Sequence, residues 1–130
     1  MKIHYISENN SILNHFLSQI RNINIQNDSM RFRRNIERIG EIMAYELSKK
    51  LTYKNVEIQT PLGIKKTTEI NDDLVLCSIL RAGLPLHNGF LNYFDHAENS
   101  FVSACRYHPN NDAEFEILVE YQALSNINNK

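Results

Sequence analysis

Leu74-Val-Leu-Cys-Ser-Ile-Leu-Arg-Ala-Gly-Leu-Pro-Leu-His-Asn-Gly-Phe-Leu-Asn-Tyr-Phe94 is the stretch that decides how this chain reads. The apolar run from Leu74 to Leu80 predicts a buried strand, Arg81-Ala82-Gly83 a tight turn, and the residues after it a helix. In open α/β sheets, ligands sit beyond the carboxyl ends of the strands, where such turns lie. Arg81 therefore stands where a charged ligand could meet it. A guanidinium is always charged, and its planar fork suits phosphate oxygens. Gly83 would let backbone approach a ligand with no Cβ in the way. An Arg-Ala-Gly tripeptide also occurs as an ordinary surface turn, so spacing alone leaves both readings open.

Upstream, Ser11 can cap a first helix between about Asn10 and Asn24, with Leu13, Phe16, Leu17 and Ile20 at helical spacing. Asp28 or Ser29 can cap a second, running to about Leu51. Its apolar stripe reads Ile36, Ile39, Met43, Leu47 and Leu51. Arg33 with Glu37, and Glu46 with Lys50, are spaced as i,i+4 pairs. Gly40 within this helix would allow another helix close. Asn55 to Thr60 and Ile64 to Ile70 alternate around Pro61-Leu-Gly63 and predict a hairpin. Downstream, Glu98 to Arg106 predicts a strand, Tyr107 to Asp112 a turn, and Glu114 to Tyr121 a strand that returns as a flap. The tail from Ala123 reads as loop.

A chain of 130 residues is one domain by size, and its net charge of −1 (14 basic, 15 acidic residues) argues against a whole-surface nucleic-acid or membrane footprint. No apolar run approaches the ~18–20 residues that span a bilayer. The N-terminus has neither the apolar core nor the cleavage site of a secretory signal, so the expectation is a cytoplasmic protein. Cys77 reads as a small core residue within the strand. Cys105 precedes Arg106, too far from Cys77 in sequence for a metal pair. The five histidines have no ligand spacing. Arg106 is the second arginine near a predicted strand end. Two parallel strands ending in Arg81 and Arg106 would aim two guanidinium groups at one crevice, an arrangement suited to a polyphosphate. Two unrelated surface arginines would look the same. The Arg31-Phe-Arg-Arg34 cluster opposes the dipole of its own helix, so it is either solvated or met by something acidic.

Ser78 to Asp95 resembles the pyrophosphate-loop region of uracil phosphoribosyltransferases. The resemblance continues through Ser103-Ala-Cys-Arg106 and Val119-Glu-Tyr-Gln122. It is also visible in Phe32 to Gly40, Ala44-Tyr-Glu46 and Val56 to Pro61. It thus runs from roughly Met30 to Gln122 in the family's order. It implies one domain over residues 1–130 with a type I phosphoribosyltransferase-like α/β fold. That fold is a parallel sheet flanked by helices, incomplete at its C-terminus, with N-terminal helices and a β-hairpin and flap. It implies transfer of a phosphoribosyl group from 5-phosphoribosyl-1-pyrophosphate to uracil, giving UMP and pyrophosphate, with magnesium carried by the donor. It also implies homodimers and GTP binding. By this likeness Arg81, Ala82 and Gly83 face the pyrophosphate, and Arg106 contacts the donor. No residue matches a separate catalytic group, and none a metal ligand.

The departures matter too. After Val-Glu-Tyr the family continues into a strand, a glycine-rich loop that cradles the 5′-phosphate, and a hood that recognises uracil. Here Gly89 is the last glycine. Cys105 stands where the family more often has an aromatic residue. The expectation is a donor half-site with negligible turnover by itself. Two other roles stay open: a non-catalytic association partner, and an RNA-binding regulator supported only by the Arg31 to Arg38 cluster.

Overall fold

A computed structural model describes residues 3–107 and 116–125. The order is α1 (Ile12–Arg21), α2 (Ser29–Ser48), β1 (Tyr53–Thr60), β2 (Gly63–Ile70), β3 (Val75–Leu80), α3 (Leu84–Leu91), β4 (Glu98–Tyr107) and β5 (Glu116–Ala123). β1 and β2 form a separate antiparallel hairpin. β3, β4 and β5 form a second sheet in that order, parallel between β3 and β4 and antiparallel between β4 and β5. The expected strand–turn–helix is therefore present. The predicted turn over Tyr107–Asp112 lies almost wholly outside the described residues, as does the start of the predicted flap at Glu114.

The caps follow side-chain chemistry. The Ser11 hydroxyl accepts from the Leu13 amide (3.3 Å), and the Asp28 carboxylate accepts from the Arg31 amide (3.0 Å), each satisfying a first-turn donor that has no helical partner. In the hairpin the connection needs only Pro61 and Leu62, because Gly63 takes a φ of +129°, a conformation that side chains with a Cβ rarely adopt.

The face of α2 differs from the predicted stripe. Its buried residues are Asn35, Ile39, Gly40 and Ala44, while Leu47 is exposed. α2 serves two partners. Towards α1, the fully buried Asn35 donates to the Gln19 side chain (2.7 Å) and accepts from Arg38 (3.1 Å), whose guanidinium lies over the Phe16 ring at 5.2 Å. Towards α3, Gly40 meets Gly89 backbone to backbone: a Cβ on Gly40 would stand 3.2 Å from the Gly89 Cα and 2.5 Å from the Leu86 carbonyl oxygen. The close approach expected at Gly40 is thus made by α3. The Asn92 amide, just past α3, donates to both Glu37 (3.3 Å) and Glu41 (2.8 Å).

Two further expectations are corrected. The ion pairs on α2 are Arg34–Glu37 and Lys49–Glu46, both at 2.7 Å and i,i+3, rather than the i,i+4 pairs. Cys77 is exposed because it shares with Ile79 (64% exposed) the face of β3 opposite the buried Ser78, and among the described residues no element covers that face.

Candidate functional site

The turn after β3 is wound as tightly as a helix. The Gly83 amide donates to the Ile79 carbonyl (3.0 Å), Leu84 to Arg81 (3.3 Å), and His87 to Gly83 (3.0 Å). The peptide between Leu80 and Arg81 is cis. Gly83 has an ordinary right-handed helical backbone (φ −72°, ψ −15°), so its need for glycine is spatial. A Cβ there would run into the Ser78 hydroxyl and come within 2.7 Å of the Ile79 carbonyl oxygen. The turn folds back on the last residues of its own strand, and this close neighbour is protein rather than ligand. Pro85 sits in the first turn of α3, where its missing amide proton costs nothing. No side chain caps α3, so its N-terminus presents partial positive charge at the carboxyl end of β3.

Behind the turn, His87 is buried on α3. Its Nε2 lies 2.6 Å from the Asn99 side-chain oxygen, and its ring packs against Phe101 at 5.0 Å between centroids. The Asn99 amide nitrogen donates to the Ala97 carbonyl (3.3 Å), which leaves its oxygen to accept from the imidazole N–H. His87 therefore ties α3 to the start of β4. Sequence spacing gave no signal for this role, because the partner sits on the next strand, β4, and meets α3 only in the folded packing.

Arg106 is exposed on β4, three residues past Ser103, the partner of the last β3 residue Leu80. At ~3.3 Å per residue it extends roughly 10 Å beyond that pair, alongside the turn. A bulge between Ser103 and Ala104 shifts the register with β5, so that Arg106 pairs with Ile117. Ala82, Gly83 and Arg106 line one concavity of about 740 Å³, with Leu86, His87 and Phe90 of α3 also in its wall. The structure thus brings three of the four expected donor-site residues to one hollow. Arg81 is exposed on the turn but does not line that hollow.

The other candidates resolve into local chemistry. Arg31 pairs with Asp28 (3.5 Å) at the helix start and Arg34 with Glu37, so two of the cluster's three arginines are met locally. A hydrogen bond from Arg34 holds the Glu37 carboxyl below its ordinary value, against some opposing desolvation. The Cys105 thiol is pushed up, first by desolvation and then by the Glu120 carboxylate 3.7 Å away, which disfavours a reactive thiolate. Among the described residues no group of three or more His, Cys, Asp or Glu side chains is placed to hold a metal ion, and no helix is long and apolar enough to cross a membrane.

A parallel strand pair with an uncapped helix rising from a glycine turn, and an arginine reaching past the strand end, defines an α/β protein with positive charge gathered at the carboxyl pole of its parallel strands. A family model described as uracil phosphoribosyltransferase matches residues 6–121. A uracil phosphoribosyltransferase from Porphyromonas gingivalis is 49% identical over 130 residues, all of this chain and 60% of that protein. One from Methanothermobacter thermautotrophicus is 36% identical over 105 residues, 79% of this chain and 47% of its own length. The solved structure of the AQ2163 protein from Aquifex aeolicus superposes with a TM-score of 0.75 at 24% identity, over 92% of this chain and 55% of that one, and so shares the fold. The chain belongs to the uracil phosphoribosyltransferase family. It spans between about half and three-fifths of the length of these relatives.

Proposed function

We propose that these residues form the phosphoribosyl-donor side of a uracil phosphoribosyltransferase, which joins uracil to 5-phosphoribosyl-1-pyrophosphate and releases UMP and pyrophosphate. The observation that supports the reading is that Ala82, Gly83 and Arg106, beyond the carboxyl ends of β3 and of its β4 partner, share one hollow that runs back along β3. Negative charge grows on the departing pyrophosphate as the glycosidic bond loosens. Fixed cations and the N-terminus of α3 stabilise that charge in place. In this reading Arg106 reaches the donor from β4 and the backbone of Ala82 and Gly83 faces its pyrophosphate, while Arg81, exposed on the turn and outside the hollow, is given the same ligand by the resemblance alone. Magnesium, carried by the donor's phosphates, adds charge to the same task. A GTP response, a cytoplasmic location and a homodimer belong to the proposal through the resemblance. For the dimer, an apolar groove of about 880 Å³ lined by Ile3, Tyr5, Ile12, Met43, Leu47 and Tyr93 offers a surface.

In this reading the 130 residues bind donor, and turnover needs the remaining length found in the relatives. Calorimetric titration with 5-phosphoribosyl-1-pyrophosphate and magnesium should show binding. Arg106→Ala and Arg81→Ala should each weaken it at least tenfold, about 1.4 kcal/mol. A UMP-formation assay on the chain alone should read background. Donor affinity unchanged in both variants would refute the site. Clear UMP formation would refute the division of labour.

A further inference from the structure

We propose that His87 is a positioning residue for the donor site: its hydrogen bond to Asn99 locks α3, which rises from the Ala82–Gly83 turn, to β4, the strand that carries Arg106. The inference rests on the donor-site reading above and adds a residue that acts through its neighbours. The two buried residues of α3 are His87 and Gly89, and neither is an ordinary apolar core residue. Gly89 serves the crossing with α2, where backbone meets backbone. His87, 6% exposed, serves the side of the helix that faces the sheet.

Both ends of the His87–Asn99 bond are held. At the helix end, the His87 amide donates to the Gly83 carbonyl (3.0 Å), so the imidazole and the turn belong to one turn of helix. At the strand end, Asn99 lies in register with Leu76. Its side-chain nitrogen donates to the Ala97 carbonyl (3.3 Å), and its own carbonyl accepts from the Ser125 hydroxyl (3.3 Å). The Asn99 side-chain oxygen is thus a fixed acceptor, 2.6 Å from Nε2. A hydrogen bond constrains direction as well as distance. The packing of the same ring on Phe101 is apolar contact, which is non-directional.

The consequence reaches the turn. Without its acceptor the imidazole N–H is a buried donor with no partner, and such a donor is costly. It regains a partner only when α3 tilts or rotates to bring it to water. α3 then carries the amides of Ala82 and Gly83 with it, while Arg106 stays on β4. The groups that meet the donor from the turn and from the strand lose their mutual placement, and stabilisation of developing charge depends on that placement being set in advance.

Asn99 is exposed, so Asn99→Ala removes the acceptor without altering the core or α3 itself. The 130-residue chain is titrated calorimetrically with 5-phosphoribosyl-1-pyrophosphate and magnesium, each variant first checked for a native circular-dichroism spectrum. Asn99→Ala and His87→Leu should each weaken binding roughly fivefold or more, and the double variant no further than either alone. His87→Gln, whose amide nitrogen can stand near the Nε2 position and donate to Asn99, should restore the parent's affinity. Gly63→Ala, which destabilises the separate hairpin, should leave affinity unchanged and so separates positioning from general loss of stability. In nuclear magnetic resonance spectra the amide peaks of Ala82 and Gly83 should move in Asn99→Ala and return in His87→Gln, with those of β1 and β2 still. Unchanged affinity in Asn99→Ala overturns the proposal, whatever His87→Leu does. So does a His87→Gln protein as weak as His87→Leu, because the ring would then act on something other than Asn99. A parent that binds no donor refutes the donor site and this inference with it; a parent that binds donor while Asn99→Ala changes nothing refutes this inference alone.

Discussion

Gly89→Ala sets two known effects against each other at a single atom. Alanine is the better helix former by about 1 kcal/mol, so an open site in α3 would gain stability. Gly89 is not open. A Cβ there would collide with the Glu37 carbonyl oxygen and stand 2.9 Å from both the Glu41 nitrogen and the Gly40 Cα. All three are backbone atoms of α2, and none can rotate away. Relief requires the helices to separate, which also stretches the Asn92 bonds to Glu37 and Glu41. Overpacking costs roughly 1–3 kcal/mol where side chains can yield. With rigid neighbours the upper figure applies, and after the propensity gain the net loss is about 2 kcal/mol. Urea titration followed by circular dichroism should show a lower midpoint with an unchanged slope. Gly40→Ala should cost a similar amount, and the double variant less than the sum, because helices already parted meet the second methyl at a distance. A Gly89→Ala protein as stable as the parent, or more stable, would refute the account of the crossing.

Gly63→Ala tests the opposite case: nothing lies within 4 Å of the added Cβ, so its cost comes from the backbone φ of +129° alone and should be roughly 1–3 kcal/mol, read by thermal melting. Leu13, 1% exposed, anchors α1 on α2, and Leu13→Ala should lose about 2–5 kcal/mol in the same urea titration. The Asp72 carboxylate accepts from the Thr52 hydroxyl (2.5 Å) and amide (2.6 Å), and these bonds hold it below its ordinary 3.8. A depressed acid stabilises the fold above its unfolded value, and that stability is lost as pH falls through the lower folded one. Asp72→Ala should therefore lower the urea midpoint at pH 7 and lose less than the parent between pH 5 and pH 3; equal acid sensitivity in both would count against the clasp.

The strand–turn–helix was legible because one uninterrupted apolar run met a turn and then changed period within ten residues. Ser11, Asp28 and the Pro61–Gly63 turn were legible because their chemistry is local. The face of α2 was not. A hydrophobic reading follows large apolar residues such as Met43 and Leu47, whereas this helix is held by a buried amide at Asn35 and by absent side chains at Gly40. Cys77 misled because an apolar strand implies cover on both faces, and among the described residues only the Ser78 face of β3 is covered. The meeting of Arg106 with the turn depends on the β3–β4 register, which residue types in either strand do not encode separately.

The same device recurs around the site, and it ties stability to function. Gly83 lets the turn rest on Ser78, and Gly40 with Gly89 lets α3 rest on α2. The helix crossing is backbone on backbone, and the turn rests on the Ser78 hydroxyl and the Ile79 carbonyl. Side-chain interfaces settle by changing rotamers, but backbone-on-backbone contacts allow little adjustment. The position of the α3 N-terminus relative to the β3 pole is therefore set from both sides: by the turn in front, and by a helix crossing on the flank away from any ligand. A transition state that gains charge rewards dipoles already in place. A methyl group at Gly89, in the helix crossing rather than the turn, should thus loosen donor binding as well as the fold. Moving α3 on its bed moves the amides of Ala82 and Gly83, while Gly63→Ala, in the separate hairpin, should leave donor affinity where it was.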